Sequence, residues 1–139
     1  MRVKKPSRKW KVIPGDPADA RGFLVLLASY LEWRRVHHFS RHTVSSEEYN
    51  LGDFVIWADE RGVSRPSEVT QPMLERYQRH LFYRRKRDGA PLSITAQKRA
   101  VTALKNFFRF LVKQHYLLSN PSSELELPRV EYRLPKAVL

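Results

Sequence analysis

A chain of 139 residues and 16.4 kDa is the size of one ordinary domain and can bury roughly two thirds of its unfolded surface, so a single core is expected. Its 26 Lys and Arg against 14 Asp and Glu give a formal net charge of +12, which points to a polyanionic partner; the lack of cysteine excludes a disulfide framework and thiolate metal sites. No stretch approaches the roughly 18 to 20 consecutive apolar residues of a membrane span, and MRVKKPSRKWK leads into no secretory h-region, so the chain reads as soluble and cytoplasmic, with no membrane partner.

The first eleven residues carry six basic side chains and no acid, with Pro6 among them and Pro14 shortly after. Residues 1–15 therefore read as a basic flexible arm. A first helix is expected from about Pro17 to Arg35, capped by Asp16, with Phe23, Leu24, Leu27, Tyr30, Leu31 and Arg34 down one side. A second begins after Ser40 and continues through Val44, Leu51, Phe54, Val55 and Trp57 to a stop at Gly62. The third opens at Thr70 with Pro72 in its first turn, runs through Met73, Tyr77 and Leu81, and dissolves in the surface loop RRKRDGAPLS.

The fourth helix spans Ser93, its cap, to about His115. Stepping about 100° per residue gathers Ile94, Ala100, Val101, Leu104, Phe107, Phe108, Leu111 and Val112 on one side. Thr95, Lys98, Thr102, Lys105, Asn106, Arg109 and Lys113 gather on the other, with Arg99 completing a cation set that contains no carboxylate. A face selected only for solubility gains from opposite charges at i and i+4; one facing a polyphosphate loses by them. This is the strongest local signal for nucleic acid. Residues 120–139 open on one turn capped by Asn120 and then show no helical period, as a connector would. With no β-alternation and no internal repeat, the expected fold is an all-α bundle of four helices, the helical domain occupying residues 16–119.

FSRHTVSS, residues 39–46, is a second candidate site. Arg41, His42, Thr43, Ser45 and Ser46 fill the first turn and a half of the second helix, where free amides and the helix dipole favour an anion. Plain capping explains Ser and Thr there equally well. His37, His38 and His42 have no third ligand at a recognised spacing, so neither a metal nor any other cofactor is assigned. The H-x-x-R pattern of His38 to Arg41 falls at a helix start and reads as accidental. No Gly-rich phosphate loop, G-x-S-x-G, H-E-x-x-H or closely spaced acidic pair on an apolar background is present, and the chain is not expected to be an enzyme.

The order of short signatures carries more than any one of them. Ser40 and Thr43 open a helix that reaches Phe54 and Trp57; Val69, Thr70, Leu74 and Tyr77 follow; then Leu92, Ser93 and Thr95 lead into Ala103, Leu104, Phe107, Phe108 and Leu111; then Asn120 and Pro121, and finally Leu134, Pro135 and Lys136. Over about residues 18 to 139 this resembles the amino-terminal core-binding domain of the tyrosine recombinases, the phage integrase, Xer and Cre group.

The resemblance implies a SAM-like four-helix bundle forming half of a C-shaped clamp on double-stranded DNA at a recombination half-site, its second and fourth helices crossing in the major groove. Carried over by position, the contacts would be Arg41, His42, Thr43, Ser45 and Ser46, with Thr95, Lys98, Arg99, Thr102 and Lys105; Asn106 and Arg109 extend the fourth-helix set. One departure is Glu47, where the family carries an aromatic, with Tyr49 two places later. The family's catalytic Arg, Lys, H-x-x-R, further His or Trp and tyrosine nucleophile have no counterpart here, and LPKAVL stands where its linker enters that half. The chain thus reads as a domain cut from a longer recombinase, monomeric when isolated, whose parent would meet other protomers on DNA. Two readings remain beside it: a stand-alone helical DNA-binding regulator, and a basic protein or membrane docking module using the first helix and the arm.

Overall fold

Four α-helices, α1 (Phe23–Val36), α2 (Arg41–Asp59), α3 (Gln71–Tyr83) and α4 (Ile94–Lys113), make up the regular structure of the computed structural model, which describes residues 12–129. A single 3-10 turn, Pro66–Glu68, lies between α2 and α3, and no strand occurs among the described residues. Three helix starts fall where capping chemistry predicts. Ser40 accepts from Thr43 N at 3.1 Å, Thr70 from Met73 N at 3.4 Å and Ser93 from Ala96 N at 3.1 Å, each satisfying an amide that lacks an intrahelical partner.

The first helix does not start near Pro17 with Asp16 as its cap. Asp16 accepts instead from Ala18 N at 2.9 Å, and Asp19 from Arg21 N at 3.2 Å, so two successive side-chain turns take up the amides a helix would use. Helix begins only at Phe23, whose N donates to Ser64 O at 3.1 Å. Asp19 also holds Arg65 in a two-pronged ion pair, at 2.8 and 3.1 Å.

Both α1 and α4 end in the same way. Past the α1 cap, His38 N donates to Arg35 O and Phe39 N to Arg34 O; past the α4 cap, His115 N donates to Val112 O and Tyr116 N to Leu111 O. This is the Schellman arrangement, and its left-handed residue is a histidine in each case, at φ +62° and +63°. The second helix ends at Asp59, with Gly62 at φ +76° in the following turn.

Aromatic side chains join the four helices. Phe54 of α2 meets Phe23 of α1, Tyr77 of α3 and Phe108 of α4 at ring-centroid distances of 6.0, 4.9 and 6.5 Å. Tyr30 of α1 meets Phe107 and Phe110 of α4 at 5.5 and 5.2 Å. Each is nearly or wholly buried, and each such ring adds about 2 to 3 kcal/mol of burial free energy. On α1 it is Leu26, not Leu24, that is fully buried. On α4, Gln97, Ala103 and Phe110 join the expected apolar residues, whereas Ile94 remains 45% exposed.

A polar cluster crosses this core. Arg34, only 9% exposed, lies 2.9 Å from the Glu47 carboxylate, and the Tyr30 hydroxyl donates to Glu47 as well. Burial, reinforced by the carboxylate, pushes the Tyr30 phenol far above its usual range, so the hydroxyl stays protonated and donates. The Arg34 guanidinium also lies over the Phe39 ring at 4.1 Å, closing the α1 terminus. Glu47 therefore occupies its position as the buried partner of α1.

Residues 120–129 pack against the bundle. Asn120 accepts from Ser122 N at 2.9 Å, Leu125 is 3% exposed, and Gln78 of α3 donates to Glu126 O at 2.7 Å. Of the expected basic arm, residues 1–11 lie outside the described residues; Ile13 rests on Gly52 of α2, where a Cβ would meet its Cδ1 at 3.3 Å.

Candidate nucleic-acid interface

Burial of α4 divides the helix lengthwise. One side, from Gln97 through Val101, Leu104, Phe108 and Leu111, is sealed in the core. The other carries Thr95, Lys98, Arg99 and Arg109, all exposed, and Thr102, Lys105 and Asn106, half-buried at its edges. Among the described residues, Lys98, Arg99 and Arg109 make no ion pair or side-chain hydrogen bond. Lys105, Arg109 and Lys113 follow each other at i+4, which places like charges one turn apart and opposes helix stability by a few tenths of a kcal/mol per pair.

Lys105 has a second attachment. Its Nζ donates to Leu125 O at 2.6 Å, so this cation ties the packed segment after α4 to the helix. Its remaining donors alone are free to meet a ligand.

The α2 residues split between capping and display. Thr43 is half-buried, and its hydroxyl accepts from Ser40 Oγ at 2.9 Å while its amide is capped, so it serves the helix start. Ser46 is half-buried and its carbonyl accepts from Asn50 Nδ2 at 3.0 Å. Arg41, His42 and Ser45 are exposed. Further along α2, Asp53 is held by Arg84 at 3.0 Å, with its side chain 8% exposed, which neutralises this carboxylate. The α2 and α4 helices pack directly on each other.

The histidines have ordinary duties. His37 Nδ1 lies 2.8 Å from Trp33 O, and its ring is 4.2 Å from the Trp33 ring; His38 holds the left-handed position after α1. Among the described residues no three His, Asp or Glu side chains come close enough to hold a metal ion. No helix there is long and apolar enough to cross a membrane.

The sequence left three contributors unseen. The Arg84–Asp53 pair and the Lys105–Leu125 attachment join residues 31 and 20 positions apart, a separation no local pattern encodes. The third is the ordered geometry of the α3–α4 connection, which composition marks only as a loop.

The described residues thus form an all-helical domain with one acid-free basic helix face. By sequence the chain is a homologue of the tyrosine recombinases over their amino-terminal third. It is 42% identical over 124 residues to Tyrosine recombinase XerC 2 of Ralstonia nicotianae, a match covering 87% of this chain and 36% of that protein. It is 31% identical over 97 residues to Tyrosine recombinase XerC of Herpetosiphon aurantiacus, covering 70% of the chain and 30% of the relative. With Tyrosine recombinase XerD of Halalkalibacterium halodurans the identity is 27% over 114 residues, or 81% and 36% of the two chains. The chain thus spans about a third of the length of these relatives. In fold it matches the crystal structure of the N-terminal domain of a phage integrase/site-specific recombinase from Haloarcula marismortui, with a TM-score of 0.65, 22% identity, and coverage of 77% of this chain and 96% of the other. No protein-family model matches the chain.

Proposed function

We propose that this domain binds double-stranded DNA at a recombination half-site and acts there as one half of a C-shaped clamp, the other half being the catalytic portion of a full recombinase. The observation that carries the reading is the outward face of α4, where Lys98, Arg99 and Arg109 stand exposed with no acidic neighbour on that face. On a homologue of the amino-terminal third of tyrosine recombinases, such a face suits a row of phosphates better than water.

Roles follow from chemistry. Lys98, Arg99, Arg109 and Arg41 neutralise phosphates; Asn106, Thr95, Thr102 and Ser45 offer short hydrogen-bonding groups for base edges or backbone oxygens. His42 lies beside the exposed start of α2, where helix amides favour an anion. Thr43 supports the α2 terminus, Ser46 is half-buried beside it, and Lys105 shares its ammonium with the segment after α4. Strand cleavage belongs to the catalytic portion, and other recombinase protomers are partners of the assembled protein on DNA.

Titration onto a duplex at several salt concentrations tests the reading. With four or five phosphates neutralised, log affinity falls against log salt with a slope of about −4, and binding is weak because half of the clamp is missing. A flat salt response, or no binding at low salt, rejects it.

A further inference from the structure

The connection between α3 and α4 is a built hairpin. Lys86 N donates to Ala90 O at 2.8 Å, Gly89 N to Lys86 O at 2.9 Å, and Arg85 forms an antiparallel bridge with Pro91. Gly89 supplies the turn at φ +83°, a conformation that L side chains rarely adopt. The base of the hairpin is held from two sides. Arg84 is ion-paired to Asp53 of α2 at 3.0 Å, and Ser93 caps α4 directly after it. The turn is therefore rooted on the same two helices whose outward faces are read as meeting DNA.

Its charges are mostly positive. Lys86 and Arg87, at the tip, are exposed and make no ion pair or side-chain hydrogen bond among the described residues. The lone acid, Asp88, accepts from Ala90 N at 2.9 Å and serves the turn itself. At the foot of the hairpin Phe82 and Tyr83 stand 59% and 69% exposed, edge to face at 5.0 Å. Large aromatic rings left this open beside unpaired cations mark a contact surface.

We infer that this hairpin is a second phosphate contact on the same duplex, with Lys86 and Arg87 seated on the backbone flanking the stretch met by α2 and α4, and Phe82 and Tyr83 covering sugar edges. The inference rests on the DNA-binding reading and extends its footprint. A pre-ordered turn loses little conformational entropy on binding, which favours a fixed contact over a loose tether. Because Lys86 and Arg87 are seated on phosphates and not on base edges, the contact is independent of sequence.

The test compares the wild-type chain with a Lys86→Ala, Arg87→Ala double variant in two measurements, the salt dependence of duplex affinity and hydroxyl-radical footprinting. Expected is a log–log slope shallower by about 2, an equal loss for every duplex sequence, and protection lost at one edge of the footprint while its centre persists. A double variant with the wild-type slope and footprint overturns the hairpin contact and leaves the α2 and α4 reading standing. A wild-type chain that shows no salt-dependent binding overturns both.

Discussion

At the scale of single residues, the buried Arg34–Glu47–Tyr30 cluster is the most sensitive point. A buried ion pair adds little net stability over an apolar substitute, but removing one partner strands the other charge in the core. Glu47→Ala is therefore expected to lower unfolding free energy by about 3 to 5 kcal/mol in urea denaturation. An Arg34→Met, Glu47→Leu double variant recovers most of that loss, and failure to recover would mean that packing, not the stranded charge, sets the cost. His80 supplies a pH signature. Partial burial against Trp57 and Tyr77, then the nearby Arg84 and Arg61, depress its pKa below 6.5 in the folded state. The unfolded chain then takes up this proton first, so the stability present above about pH 6.5 is lost as pH falls below it. The stability difference between wild type and His80→Gln should shrink from pH 7.5 to 5.5; a difference constant with pH contradicts the assignment.

At the scale of elements, the caps and the lengthwise division of α4 decide where helices begin and which way they face. Ser93→Ala is expected to cost about 1 kcal/mol, measured by urea denaturation, because it frees the Ala96 amide at the start of the longest helix. The two left-handed histidines give the opposite effect. His115→Gly relieves the steric cost of a Cβ in that conformation and is expected to raise stability by about 0.5 kcal/mol or more. Much at this scale was legible beforehand, since three of the four helix starts are local chemistry: a hydroxyl at the cap, a proline in the first turn, an apolar period of 3.6. The start of α1 was not. Asp16 looks like a cap in sequence, yet its carboxylate closes a turn of its own, as that of Asp19 does, and the amide of Phe23 is drawn to Ser64, forty-one positions away. Arg34 was placed on the buried side of its helix by periodicity alone, but its partner Glu47 was read only as a departure from a family pattern, because nothing local couples α1 to α2.

At the scale of the whole molecule, the positive charge acquires a direction. Asp53 of α2 is covered by Arg84, the outward side of α4 holds no carboxylate, and the hairpin between α3 and α4 presents two more unpaired cations. The identities of the candidate α4 residues were legible because amphipathic spacing separates wet from buried positions. The attachment of Lys105 to Leu125 was not, because it depends on how the segment after α4 folds back. The like-charge spacing on α4 separates two causes that otherwise coincide. If solubility alone shaped this face, introducing acids at i+4 from lysines would be harmless to every property. Lys98→Glu with Arg109→Glu places a glutamate between Lys105 and Lys113 and should stabilise the helix by a few tenths of a kcal/mol. The decisive measurement is duplex affinity of this double variant beside its urea stability: unchanged or raised stability with at least about tenfold weaker binding and a shallower salt slope is expected, whereas a folded variant that binds duplex DNA as tightly as the wild type contradicts the phosphate-facing role of α4.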